Sequence, residues 1–420
     1  MKVALKTLGC KVNQADSDLF LTSIRNTGWE TVSFWERADV YVINSCAGTR
    51  EAERKSSQFV CRVLRANPDA RVILTGCLAR RLSPPDRSSF DQRVEVLSSP
   101  DKIEELLSRF SGSDGYAPVQ AEIPRGTRAR VWFKIQDGCD HYCSYCIVPH
   151  LRGPVVSLPP ERVLRSVRTL EEAGYREIVL CGINVGYYGK DLYKPGLIDL
   201  LERLVRETGR VRFRLSSLEP FAVTKPFIER YCALGDRVCP HFHLPLQSGS
   251  DRILTLMNRG YTVKEYARIV EHLRFHSPLA AVTTDLMVGF PGETKTLFTE
   301  TTSFIREMDF ARIHLFVFSP RPGTSALLLD REGRIGREEI RRRKKIILEL
   351  AEKSHEAFQK HFLGKTVPVL IESVRDGVAA GHSDRYVGVT IHGVEKESPG
   401  DLVDVFVEGV EGGVLTGRLI

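Results

Sequence analysis

The sequence predicts a three-part α/β chain: a small parallel α/β sheet, an incomplete barrel of six strand–helix units, and a small carboxy-terminal β-barrel. Three observations predict it. Over roughly residues 1–120, short apolar runs alternate with polar helical stretches, the pattern of a parallel sheet crossed by helices. Between about 128 and 355, six apolar runs recur at intervals of roughly 30–45 residues with helical patterns between them, the rhythm of a βα barrel short of eight units. The tail, 363–420, holds TVPVLI, YVGVTI, LVDVFV and GVLTGRLI, β-type runs parted by Gly, Asp and Ser turns, enough for a five-stranded barrel of the oligonucleotide-binding sort.

In chain order, the first part offers strands at 3–8, 40–44, 72–75 and 94–97, with helices such as 16–27 and 51–66 between them. The stretch 111–126, with SGSDGYAP and IPRG, reads as a linker. Barrel strands are expected at 131–135, 178–181, 211–215, 241–244, 282–288 and 313–318. The helix at 160–173 stops at Gly174, a residue suited to a helix end. From 337 to 362 an apolar face of Ile340, Ile347, Leu350, Ala351 and Phe358 marks another helix. It carries the basic run 341–345, read first as a solvated face and second as an RNA-facing patch.

Lys plus Arg number 60 against 53 Asp plus Glu, a net charge of +7 that permits a nucleic-acid partner without requiring one. No apolar run approaches ~18 residues, which argues against a membrane span. The start, MKVALKTLGC, reaches Lys6 too soon for a signal-peptide core, so a cytoplasmic location is expected. There are 10 cysteines. In a reducing compartment, metal or redox chemistry is the leading reason for any cluster among them.

One group stands out. After the strand VWFKIQ comes DGCDHYCSYCIVP, with Cys139, Cys143 and Cys146 in CxxxCxxC spacing. A structural zinc site normally takes four protein ligands; here no local fourth is evident. Three thiolates suit a 4Fe–4S cluster, leaving one iron open to a small molecule. A second group is dispersed: Cys10, Cys46 and Cys77 each end an expected strand, in TLGC, INSC and LTGC. Neighbouring ends of a parallel sheet are close in space, so the three converge, with Gly9 and Gly76 allowing close backbone approach. Incidental burial is the plain alternative. Cys61, Cys181, Cys232 and Cys239 fit no cluster pattern.

LGCKVNQ, VINSC and TGC ahead of CxxxCxxC resemble the radical S-adenosylmethionine (SAM) methylthiotransferases over essentially the whole chain. The resemblance implies an amino-terminal iron–sulfur domain (1–120), a radical SAM partial barrel (128–355) and an RNA-binding TRAM β-barrel (363–420). It implies two 4Fe–4S clusters and SAM as cofactors. Cys139, Cys143 and Cys146 would hold the catalytic cluster, where SAM is cleaved to a carbon radical. Cys10, Cys46 and Cys77 would hold a second cluster carrying the sulfur to be delivered. Tyr145 would pack near the first cluster. Gly182 and Asn184 of CGINVG, Ser217 and Glu219, Gln247, and Asp285 and Gly289 of TTDLMVGFPGET would meet SAM, with Gly292 also approaching the adenine.

Helix capping or turn chemistry is the plain alternative for each polar residue, and Ser248 and Ser250 read as possible caps. His241 and His243 alternate on a strand and point the same way; no acid–base role is assigned to them.

LGCKVNQ, RLSSLEP, HFHLPLQSGSDRILTLMNRGYT and HLFVFSPRPGTSA look most like the group acting on N6-threonylcarbamoyladenosine beside the tRNA anticodon. Alternatives are isopentenyl-adenosine tRNA, a ribosomal-protein aspartate, or a non-enzymatic iron–sulfur RNA-binding regulator. Partners implied are the tRNA anticodon arm, a flavodoxin- or ferredoxin-like electron donor and a sulfur source. The chain departs from the family after Arg152-Gly153, where an expected arginine is missing, and in the spellings VINSCAGT and TGCLARR.

Overall fold

The computed structural model describes residues 1–26, 28–88, 90–98, 129–193 and 195–420; the expected linker lies outside them. The first unit is a five-stranded, all-parallel sheet of β1 (Lys2–Thr7), β2 (Glu30–Val32), β3 (Val40–Ser45), β4 (Arg71–Gly76) and β5 (Val94–Val96), in the order β2-β1-β3-β4-β5. β3 is buried along its whole length, as a central strand covered on both faces must be. The three-residue β2 was absent from the expected set because so short a run carries no period. The helix Lys11–Asn26 starts five residues earlier than expected, directly after Cys10, whose carbonyl accepts from the Gln14 N–H at 3.1 Å.

The middle unit runs through β6 (Val131–Lys134), the short antiparallel pair β7 (Gln136–Asp137) and β8 (Val156–Ser157), then β9 (Glu177–Cys181), β10 (Arg212–Leu215), β11 (His241–His243), β12 (Ala281–Val288) and β13 (Arg312–Val317). Two parallel three-stranded sheets, β6-β9-β10 and β11-β12-β13, meet through the bridges Phe213–Val238 and Ser217–His243. Together they make the six-stranded open barrel that was expected. Amphipathic helices cover it: Pro160–Glu172 buries Val163, Leu164, Val167 and Leu170 against the strands. The helix Arg337–Lys360 packs Ile340, Ile347, Leu350 and Ala351 on the same core. Its basic run is split rather than uniformly solvated. Arg343 turns inward and is 4% exposed, donating to the Glu293 carbonyl (2.7 Å) and carboxylate (2.6 Å).

The last unit is a closed five-stranded barrel of β14 (Thr366–Arg375), β15 (Val378–Ser383), β16 (Gly388–His392), β17 (Leu402–Glu411) and β18 (Val414–Leu419), in the order β14-β15-β16-β18-β17. Its core is Val367, Val369, Ile371, Val389, Ile391, Val405, Val407 and Leu415, the inward set of a period-two pattern. Among the described residues no helix is long and apolar enough to cross a membrane.

An ionic hub joins the two barrels. Glu177 at the start of β9 is fully buried and faces Arg130 (2.9 Å), Arg212 (2.7 Å) and Arg214 (2.9 Å). Arg130 continues to Glu372 of β14 (2.7 Å), and Arg214 donates to the Asp384 carbonyl (2.8 Å). Against the desolvation that burial imposes, Arg214, Arg212 and Arg130 hold the Glu177 carboxyl far below the usual carboxylate range. Its contribution is therefore complete above that range and fades as pH falls below it. Glu177→Gln should cost about 3–5 kcal/mol, the penalty of stranding buried arginine charge. It should also flatten the acid limb of the stability–pH curve, measured by denaturant unfolding. An unchanged acid limb would remove the hub from the account of stability.

Candidate active site between the sheet and the open barrel

The dispersed cysteines converge because the sheet is parallel. Ser45 pairs with Gly76 across β3 and β4, so Cys46 and Cys77 leave adjacent strand ends; adjacent strands lie about 4.8 Å apart. Cys10 follows from the next strand, β1. Asn13 draws the turns together: its amide donates to the Leu8 carbonyl (2.8 Å) and the Ser45 carbonyl (2.9 Å), the backbone just ahead of Cys10 and Cys46. Gly9 sits at φ +98°, and a Cβ there would lie 2.9 Å from the Cys46 Cβ, so only glycine allows that approach. The Cys77 Sγ is 4.0 Å from the Asn13 Oδ1. Burial raises the Cys10 and Cys46 thiols, Cys46 to about 11; Cys10 also feels Cys77, and Cys46 feels both Cys77 and Cys10.

Cys139, Cys143 and Cys146 occupy the loop beyond β6 and β7, at the carboxyl end of the barrel. The loop is folded by its own backbone: the Cys139 N–H donates to the Gly153 carbonyl (3.0 Å) and the Cys146 N–H to the Cys143 carbonyl (2.9 Å). Gly138 is at φ +73°, and a Cβ there would lie 1.8 Å from the Pro154 carbonyl oxygen. Arg259, 1% exposed, donates to the Cys143 Sγ at 3.1 Å and pairs with Glu219. The Tyr145 hydroxyl is 3.5 Å from the same guanidinium. Burial raises all three thiols, Cys146 to about 12, and each of Cys139 and Cys146 also feels Cys143.

Arg152 links the two trios. It lies six residues past Cys146, yet its guanidinium pairs with Asp137 (2.8 Å) and Asp16 (3.5 Å) and donates to the Asn13 Oδ1 (2.5 Å). Against desolvation, Cys77, Asp137, Asp16 and Cys10 hold it charged. Lys134 of β6 pairs with Asp16 and, at 3.3 Å, with Asp137. In the segment that departs from the family after Arg152-Gly153, Val156–Ser157 is β8, and the Ser157 hydroxyl accepts from the Gly189 N–H (3.0 Å).

The remaining candidates divide. Asn184 is 3% exposed, and neither Nδ2 nor Oδ1 has a hydrogen-bond partner among the described residues. Its backbone is held by the Gln136 Oε1 (3.0 Å). Gly182 packs on Gln136, where a Cβ would meet the Oε1 at 2.4 Å. Gln247 takes φ +70° and is held to β12 by backbone bonds with Asp285 and Met287 (2.8 and 2.9 Å). Ser217 bridges β10 to His243 of β11. Asp285 points into the lumen, 3.3 Å from the His243 Nε2.

Two glycines and two serines also take packing or bonding roles against distant helices. The side of Gly289 that lacks a Cβ faces Ile340 at 3.0 Å, and that of Gly292 faces Leu256 at 3.4 Å, so these glycines admit helix packing on that side. Ser248 and Ser250 do not cap with their side chains; they bond across to Thr301 (3.2 Å) and Glu300 (2.5 Å) of the helix Lys295–Met308. His241 and His243 do share a face, both meeting the Thr283 hydroxyl (3.3 and 2.9 Å), and burial keeps His241 well below its ordinary pKa.

Lys11, Asn13, Arg152 and Arg259 were missed as site residues. Lys11 and Asn13 stand inside LGCKVNQ, and Arg152 closes the cysteine loop. Arg259, in MNRGY, has no local signal. Lys11 enters the barrel, with its ammonium 5.3 Å from the Tyr386 ring centroid and no ion pair among the described residues. Burial lowers its pKa; Arg214 and Arg130 add to this, while Cys181 and Asp285 oppose it.

The chain matches two family profiles: the radical SAM superfamily over residues 133–305, and the uncharacterized protein family UPF0004 over residues 2–95. It is 35% identical over 420 residues to a threonylcarbamoyladenosine tRNA methylthiotransferase of Chlamydia pneumoniae, covering 99% of this chain and 97% of that one. It is 33% identical over 438 residues to a tRNA-2-methylthio-N(6)-dimethylallyladenosine synthase of Thermotoga petrophila, covering 100% and 97%. Among solved structures, a radical S-adenosylmethionine methyltransferase from Kitasatospora setae shares the fold at a TM-score of 0.56 and 14% identity, over 77% of this chain and 73% of that one.

The superfamily implies a 4Fe–4S cluster and SAM. The residues fit both: a convergent set of free thiols in a folded loop, and an amide at Asn184 buried with its donor and acceptor unused. Reconstituted without oxygen, the protein should hold about eight irons. The Cys10/Cys46/Cys77 triple alanine variant should hold about four. A wild-type value near four would remove the amino-terminal cluster.

Proposed function

We propose a tRNA substrate for this chain, which belongs to the radical SAM methylthiotransferase family: it methylthiolates carbon 2 of N6-threonylcarbamoyladenosine next to the anticodon. Cys139, Cys143 and Cys146 hold the cluster that engages SAM, and Cys10, Cys46 and Cys77 hold a second one. When bound, these groups supply the one-electron chemistry that an unactivated ring C–H bond requires.

The protein's own part is placement. Arg259 and Glu219 set a fixed pair of charges beside Cys143. Asn184 offers one donor and one acceptor to the amino-acid end of SAM. Arg152, Asp16, Asp137 and Lys134 hold the two cysteine loops in one register, since buried paired charges tolerate only one arrangement without large cost. The base must leave its stack to reach this site. The net charge of +7 and the terminal β-barrel suit the phosphates of the anticodon arm.

The observation that carries the substrate assignment is the lumen beside Cys10. His243, Asp285 and His314 meet there, with the His243 Nε2 3.3 Å from Asp285 and the two imidazole centroids 5.6 Å apart, and the charge of Lys11 is felt at Asp285 and His314. An apolar dimethylallyl group entering this space would leave the Lys11 ammonium without a hydrogen-bonding partner, at about 1–3 kcal/mol. A threonylcarbamoyl group brings a carboxylate, a hydroxyl and a urea, which match an unpaired ammonium and its polar neighbours.

Given both tRNAs, the reconstituted enzyme should convert the threonylcarbamoyl form at least about 100-fold better, as differential pairing of about 3 kcal/mol predicts. Nucleoside mass analysis reads this, and preference for the isopentenyl form would overturn the assignment. Lys11→Met should lower kcat/KM on the threonylcarbamoyl substrate by about 10- to 100-fold, the worth of one charged hydrogen bond, with iron content unchanged. Cys77→Ala should still cleave SAM but form no methylthio product; retained product would refute a sulfur-delivery role for the amino-terminal trio.

A further inference from the structure

A second cluster of metal-ligating side chains lies away from the cysteine loops. The helix Lys225–Ala233 carries Glu229, and the helix Val263–His276 carries His272 and His276, four residues apart and so on one helix face. One ligand atom from each lies within 4.8 Å of the other two. His272 Nε2 is buried without a hydrogen-bond partner among the described residues, and it sits 3.4 Å from the Glu229 Oε1. The two imidazole centroids are 4.8 Å apart.

These values suit a shared ion. Tetrahedral zinc with bonds of about 2.0–2.1 Å separates its ligand atoms by roughly 3.3–3.4 Å. Two imidazoles and one carboxylate form a donor set for borderline divalent ions such as zinc, whereas magnesium and calcium take oxygen ligands. His276 also borders a cavity of about 590 Å³ at the junction with the terminal barrel, so water has access to a fourth position. His276 ends its helix just ahead of β12, which puts it at the amino ends of the barrel strands. The cysteine loops lie at the opposite end.

We propose that Glu229, His272 and His276 bind one zinc ion, which clasps two barrel helices beside the terminal barrel and is independent of the iron–sulfur chemistry. Bound to the folded chain only, it would raise thermal stability with the logarithm of free metal once the site begins to fill.

The test uses cluster-loaded protein dialysed without oxygen against increasing zinc chloride, with zinc and iron both counted. Wild type should take up one zinc with iron unchanged, and its unfolding midpoint should rise with zinc. His272→Ala and His276→Ala should each weaken uptake by at least about tenfold and abolish the rise, while matching wild type in midpoint without zinc. Glu229→Gln should weaken uptake less. Zinc uptake equal in wild type and His272→Ala, uptake matched by loss of iron, or no saturable uptake up to about 1 mM zinc (a standard free energy weaker than about −4 kcal/mol) would each overturn the proposal.

Discussion

The arrangement depends on one buried guanidinium. Arg152 belongs to the cysteine loop of the barrel but makes its contacts in the amino-terminal sheet, reaching Asn13 and Asp16 while holding Asp137 on its own side. An arginine with a side chain 1% exposed has to be paired and hydrogen-bonded. The planar fork of donors meets that demand in one geometry. Asn13, the residue it bonds, is also the one that gathers the Cys10 and Cys46 turns. One side chain therefore ties the position of one cysteine trio to that of the other.

The junction with the terminal β-barrel follows the same logic. Three arginines share Glu177, and the surplus positive charge is met by Glu372, by the carbonyls of Ser383 and Asp384, and by the face of Tyr386, 4.8 Å from Arg214 and 5.2 Å from Arg130. Such seams add little net stability over an apolar contact but penalise any other register heavily. A radical SAM enzyme whose barrel meets two further units has a use for seams of this kind.

Much of this was legible in the sequence, for identifiable reasons. The six barrel strands are short apolar-rich runs at regular spacing, most of them buried, so their recurrence located them. The cysteine loop was legible because its three thiols are local. Convergence of Cys10, Cys46 and Cys77 followed from parallel topology, since strand ends are neighbours whatever the loop lengths. What was not legible depends on long-range pairing. Arg259 meets Cys143 across 116 residues, and Arg152 meets Asn13 across 139; no local pattern announces either. The two serines of PLQSGSD were misread for the same reason: their partners, Thr301 and Glu300, come from a helix distant in sequence.

The claim on which the account rests is that two cysteine trios, set on either side of Arg152, each carry their own iron centre. Anomalous diffraction at the iron edge, from crystals grown without oxygen, tests it most directly. The account predicts two separate iron peaks, one ringed by Cys10, Cys46 and Cys77 and the other by Cys139, Cys143 and Cys146. A single peak, or one that draws its ligands from both trios, would contradict it.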